Sequence, residues 1–141
     1  MKHKLFAALF ALSIAISGLA GFSVNANAAN TSDVDYSFQN VNYDGYTLSR
    51  LKEDYTKVYV YPHSGPELKY TVQGSLYGSA GWVNRSATHK IYSGTKASIT
   101  NYVKENGEGY ARLHYERVSY SYAFTNGVWS PDSAGIYNVY T

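Results

Sequence analysis

Beyond the first 28 residues, the side chains best suited to hold a transition metal or move a proton are His63, His89 and His114. A zinc centre would have to draw one imidazole from each of three distant segments, because no two of them share a local ligand spacing. His63 follows Pro62, and His114 falls on the outward side of its strand pattern, so surface imidazoles are expected. Asp33, Asp35 and Asp44 could offer carboxylate oxygens to calcium, but the run lacks the central glycine and terminal glutamate of a calcium loop. The pairs Glu53/Asp54 and Glu105/Glu108 supply the two carboxylates of a glycoside hydrolase on paper. Glu105 and Glu108 flank Asn106-Gly107, however, and acids beside a turn are normally solvated. Gly78-Ser79-Ala80-Gly81 is one residue short of a Gly-x-Ser-x-Gly elbow and has no strand-to-helix pattern around it. Cysteine is absent, which removes thiol nucleophiles, thiolate metal sites and disulfides. These residues imply no enzyme, no metal and no cofactor.

The aromatic content remains. All 16 tyrosines and both tryptophans lie after residue 28. A flat apolar face with a polar tip can stack on a sugar ring or anchor a protein. The same residues are good strand formers that build cross-strand pairs. Tyr59 and Tyr61 alternate with Val58 and Val60, so one of the two sets points outward. Tyr120 and Tyr122 alternate with serine in the same way. The four tyrosines Tyr59, Tyr61, Tyr120 and Tyr122 are therefore the candidate binding face, while Trp82 and Trp129 are assigned to the core.

Strands must carry these residues. Asp35 to Val41 alternates aromatic and polar residues at period two, and Lys57 to Tyr61 is rich in β-branched and aromatic residues before Pro62 closes it. Tyr70 to Gln73 is a third strand, bounded by Gly74. Tyr110 to Glu116 is another, with Ala111, Leu113 and Tyr115 on one face. Tyr120, Tyr122 and Phe124 mark a further strand, with Asn126-Gly127 turning into Val128-Trp129. Residues 96–106 read two ways. Thr95 could cap a helix with Ile99, Tyr102 and Val103 on one face; alternatively, a strand leads into a hairpin at Asn106-Gly107, the stronger of the two patterns. About six or seven short strands, separated by turn signals, predict an all-β chain folded as a single small antiparallel β-sandwich.

The chain opens with Lys2 and Lys4, an apolar run from Leu5 to Ala20, and Ala26-Asn27-Ala28. A basic start, an apolar stretch and a small-x-small site form a secretory signal peptide, with cleavage expected after Ala28. The run falls short of the roughly 20 residues of a membrane helix. Residues 29–34 are then expected to be a flexible lead-in and residues 35–141 the sandwich. The formal charge of +2 belongs to Lys2 and Lys4, so the processed chain is neutral with histidine uncharged. Neutrality argues against nucleic acid and anionic lipid as partners, since both require a basic surface. Release outside the cell, with no membrane anchor after cleavage, is the expected outcome.

Asn101-Tyr102-Val103-Lys104-Glu105-Asn106-Gly107 with Tyr110-Ala111-Arg112-Leu113, and Gly127-Val128-Trp129-Ser130-Pro131-Asp132-Ser133, resemble a family of small exported proteins of bacilli and related Gram-positive bacteria. That family is a domain of unknown function, and Asn84-Arg85-Ser86 is a further point of likeness. The resemblance implies secretion and an all-β fold and brings no catalytic residues. The chain is also similar in type to lactococcin-type bacteriocins, which are small, exported, cysteine-free and rich in Tyr, Ser and Gly. The functional expectation is a secreted, non-catalytic binding module acting on cell-wall glycan or an extracellular protein; the alternative is a secreted bacteriocin-like antimicrobial protein.

Overall fold

The computed structural model describes residues 30–141; the expected signal peptide lies outside the described residues. Among the described residues, eleven strands form two facing sheets. Sheet A has the order β1 (Val34–Gln39), β10 (Phe124–Ser130), β4 (Val58–Ser64), β8 (Ala97–Ile99) and β11 (Asn138–Tyr140). Sheet B runs β2 (Asp44–Tyr46), β9 (Tyr110–Arg117), β5 (Leu68–Ser75) and β6 (Val83–Asn84), with β3 (Arg50–Leu51) also on β9 and β7 (His89–Ile91) also on β5. All pairings are antiparallel except β11 with β8, which is parallel. The all-β sandwich is therefore present. Its strands outnumber the six or seven expected because β2, β3, β6, β7 and β11 are two- or three-residue pieces without their own periodic signal.

Alternation sorts the residues between core and surface. Tyr36, Phe38, Val58, Val60, Ile99 and Trp129 from sheet A meet Leu68, Tyr70, Val72, Leu113 and Tyr115 from sheet B, all buried. The β9 face read from sequence, Ala111, Leu113 and Tyr115, is the one that points inward. Part of the tyrosine excess sits here. Tyr36 and Tyr115 stack with centroids 5.8 Å apart, and the Tyr36 and Tyr70 hydroxyls share a 2.7 Å hydrogen bond across the sheets. That bond satisfies two polar groups that burial would otherwise penalise.

Several turn assignments differ. Residues 97–99 are strand, but Lys104–Asn106 is a 3-10 turn, and Gly107 closes it in the left-handed conformation (φ 74°) with its N–H donating to the Lys104 carbonyl at 2.9 Å. The chain thus crosses from sheet A to sheet B and forms no hairpin at Asn106-Gly107. Pro62 lies within β4, opposite a register irregularity at Asn126/Gly127, so it does not end its strand. A missing N–H is tolerated at such a bulge. Asn126-Gly127 is interior to β10, and Tyr120 and Tyr122 belong to the loop before it.

The segment Asn84-Arg85-Ser86 binds β6 to its neighbours. Arg85 makes a two-pronged ion pair with buried Glu108, Nε to Oε2 at 2.9 Å and Nη2 to Oε1 at 2.7 Å, and Ser86 Oγ accepts from Val72 N–H at 2.8 Å. Gly74 leaves the room that this pair occupies. A Cβ there would overlap the Glu108 carboxylate and come within 3.0 Å of Arg85 Cγ. Gly74→Ala is expected to lower stability by about 1–2 kcal/mol by prising the pair apart. Urea titration measures this, and an unchanged midpoint would show that the carboxylate swings clear at no cost.

Candidate functional site

Hydrogen bonds join residues 30–32, ahead of β1, to the rest of the fold. Asn30 donates its main-chain N–H to Asp132 Oδ2 at 2.9 Å, and Arg50 reaches Asn30 Oδ1 at 2.6 Å and the Ser32 carbonyl at 2.7 Å. Asp132 lies fully buried at the centre of this knot. Its Oδ1 is 2.7 Å from Lys52 Nζ, which also donates to the Thr56 carbonyl at 2.7 Å, and its Oδ2 accepts from Glu53 N–H at 2.9 Å. Burial pushes the Asp132 carboxyl up, but the Lys52 ammonium and the Glu53 and Asn30 amides outweigh it and hold the group below the usual carboxylate range. Every partner is internal, so this buried ion pair joins three segments and leaves nothing for a ligand.

The sequence candidates disperse. His63 and Asp35 share a shallow depression of about 360 Å³ with Ser37 and Asn126, and among the described residues no hydrogen bond joins the histidine to any of the three. His89 is held below its usual pKa by burial and sits beside the Tyr140 ring. Glu108 is committed to Arg85, whereas Glu105 is exposed on the 3-10 turn. Ser79 lies in an exposed turn between Gly78 and Gly81, both left-handed. Among the described residues, no group of three His, Asp or Glu side chains is arranged to hold a metal ion.

The four tyrosines chosen from sequence do not form one surface unit. Tyr59 and Tyr61 do point away from the core on β4, but the C-terminal tail covers the first. Tyr59 is buried against Tyr137, ring centroids 4.9 Å apart, and burial, with help from Asp33, Tyr137 and Tyr61, pushes its phenol up to about 12. Tyr61 is half-buried, with Lys96 Nζ 5.5 Å from its ring centre. Tyr120 and Tyr122 are exposed and meet edge to face at 5.6 Å, with Arg117 over Tyr120.

A different row stands on the outer face of sheet B. The outward residues of β9 are Arg112, His114 and Glu116, alternating with its buried set. Register places Tyr46 of β2 opposite His114, and the two rings stack at 4.8 Å with planes 20° apart. Arg112 Cζ lies 3.9 Å from the Tyr46 ring centre and 4.3 Å from that of Trp82, so both rings flank the guanidinium. Trp82 is half-buried in this row, outside the core to which the sequence assigned it. Gln73 of β5 accepts from Arg112 Nε at 2.8 Å and is itself fixed by donating to Asn84 Oδ1 at 2.9 Å. At the other end His114 Nε2 lies 2.9 Å from Asp44 Oδ2. Partial burial holds the Arg112 guanidinium below its usual value and only Tyr46 opposes this, whereas Glu108 raises Arg85. Rigid strands thus present a preset line of rings, amides and one cation to solvent.

The sequence has a counterpart among known families. A family model described as protein of unknown function, DUF2712, matches residues 22–133. The chain belongs to DUF2712. The DUF2712 match spans the outer row of sheet B and reaches the Asp132 knot, and β11 lies beyond it. No curated protein and no solved structure matches the chain significantly.

Proposed function

We propose that this DUF2712 chain is exported from a Gram-positive cell, trimmed after Ala28, and works as a non-catalytic binding module at or outside the cell envelope. The basic, apolar and small-x-small order of its first 28 residues supports export. The Trp82–Arg112–Tyr46–His114 row supports binding and is the observation that carries the reading, since it places aromatic edges and fixed amides on a strand scaffold facing solvent. Nine of the sixteen tyrosines are exposed. Tyr46 of the row is among them. The partner is wall glycan, whose rings offer C–H faces to aromatics and hydroxyls to amides.

Sedimentation of residues 29–141, which carry both sheets, with purified peptidoglycan, wall polysaccharide and whole cells tests this. The expected result is pelleting with at least one of them, reduced about tenfold by Trp82→Ala or Tyr46→Ala. Protein left wholly in the supernatant in all three would remove the reading.

A further inference from the structure

Four arginines lie among the described residues, and three of them spend terminal nitrogens on protein acceptors. Arg50 bonds Asn30 Oδ1 and the Ser32 carbonyl, Arg85 bonds Glu108, and Arg117 bonds the Val41 carbonyl at 2.8 Å. Arg112 does not. Its single acceptor among the described residues is the neutral Gln73 amide, reached through Nε, and no carboxylate there lies within ion-pair distance. A solvated arginine without a partner is ordinary, but this one is immobilised. Tyr46 and Trp82 flank its plane, Gln73 fixes its Nε edge, and Asn84 fixes Gln73. The side-chain entropy that an arginine normally loses on binding is already lost, and the planar edge bearing both terminal nitrogens remains unused.

We infer that Arg112 is the anion subsite of the sheet B face, and that the ligand is an acidic saccharide whose carboxylate or phosphate meets the terminal guanidinium nitrogens. The saccharide half of this inference rests on the binding-module reading above; the anion half rests on Arg112 itself. Two oxygens of a carboxylate or a phosphate match the free edge of the guanidinium in a two-pronged geometry. The rings of Tyr46, 45 % exposed, and Trp82 give the sugar carbons apolar edges on either side of that contact. The acids on this face, Asp44 and Glu116, flank His114 at the far end of the row from Trp82. Lys69 stands opposite Glu116 in the register with Lys90 beside it, so that end carries charges of both signs.

Titrations of residues 29–141 with a galacturonic acid trimer, glycerol 3-phosphate, an N-acetylglucosamine trimer and a glutamate-rich peptide decide the matter, followed through the Arg112 side-chain N–H and Trp82 indole resonances. Binding of the uronate or the phosphate at least tenfold tighter than the neutral trimer, with both resonances moving, supports the inference, and the stronger of the two names the acid. Gln73→Glu is the sharper variant. It keeps the acceptor for Arg112 Nε and adds an internal counter-charge, while Asn84 must turn its amide to donate to the new carboxylate, so binding should fall at least tenfold with the fold retained. Arg112→Gln should abolish the preference for acid over neutral sugar. Equal binding of acidic and neutral saccharides, or Gln73→Glu binding like the parent, overturns the anion subsite and leaves the glycan-binding reading standing. Binding of the peptide alone overturns the saccharide half, and no binding by any probe overturns both.

Discussion

Asp132→Ala is expected to remove about 3–5 kcal/mol from the unfolding free energy, the range found when one member of a buried ion pair is deleted. The loss comes from what stays behind. Lys52 is 2 % exposed, and without Asp132 its ammonium keeps the Thr56 carbonyl and a marginal 3.8 Å approach to Asp54. The Asn30 and Glu53 amides lose their acceptor at the same time, and the chain entering β1 loses one of its anchors. Asp132→Asn keeps the shape and presents an amide to Lys52, so it should fall between alanine and the parent. The pH dependence has a definite sign. The folded-state carboxyl is held below its ordinary value, so its contribution to stability is present above about pH 4, where the unfolded group is ionised. It is lost as pH falls through the folded-state value. Urea unfolding between pH 2 and pH 7 should therefore show parent and Asp132→Ala far apart at neutral pH and converging in acid. A gap that stayed constant across that range would mean that the aspartate matters through packing alone.

Wherever a buried face repeats every second residue, the fold was legible. β9 was read correctly because Ala111, Leu113 and Tyr115 alternate with polar neighbours over eight residues, and β1 because Tyr36 and Phe38 do so over six. Turn chemistry misled where it conflicted with tertiary demand. Asn106-Gly107 and Asn126-Gly127 are equally good hairpin dipeptides. One caps a 3-10 turn and the other lies within a strand, and a local preference cannot register either context. Tyr59 alternates with the core residues Val58 and Val60, yet it is buried because a tail some eighty residues later folds over it. The candidate site was the least legible part. Arg112 and Gln73 lie 39 residues apart, and the ring partners Tyr46 and Trp82 come from two other segments. No spacing rule joins four residues that meet only through strand register. Lys52 and Asp132, 80 apart, are hidden for the same reason, although Asp132 falls within the Gly127–Ser133 motif.

Gly127→Ala is the second large effect expected, about 3 kcal/mol of destabilisation, toward the upper end of the cost of overpacking. Gly127 sits in β10 between β1 and β4, paired with Tyr36 on one side and Pro62 on the other. A Cβ there would run into the Tyr61 carbonyl oxygen and come within 2.8 Å of both Pro62 Cα and the Tyr36 hydroxyl. Two of these three neighbours are main chain, which cannot rotate away as the Glu108 carboxylate near Gly74 can. Relief requires β4 to separate from β10 at the irregularity, or the Tyr36 hydroxyl to abandon Tyr70, leaving two buried phenols unpaired. Because φ is not positive at Gly127, the cost arises from crowding and not from backbone conformation. Gly81, whose φ is +69° with open space around it, provides the contrast. There an alanine is strained by backbone conformation alone and should cost about 1 kcal/mol. Urea unfolding of the two variants side by side checks the assignment. A smaller loss for Gly127→Ala than for Gly81→Ala would show that the β4–β10 seam is slack enough to admit a methyl group, and that this glycine does not set the packing of the seam.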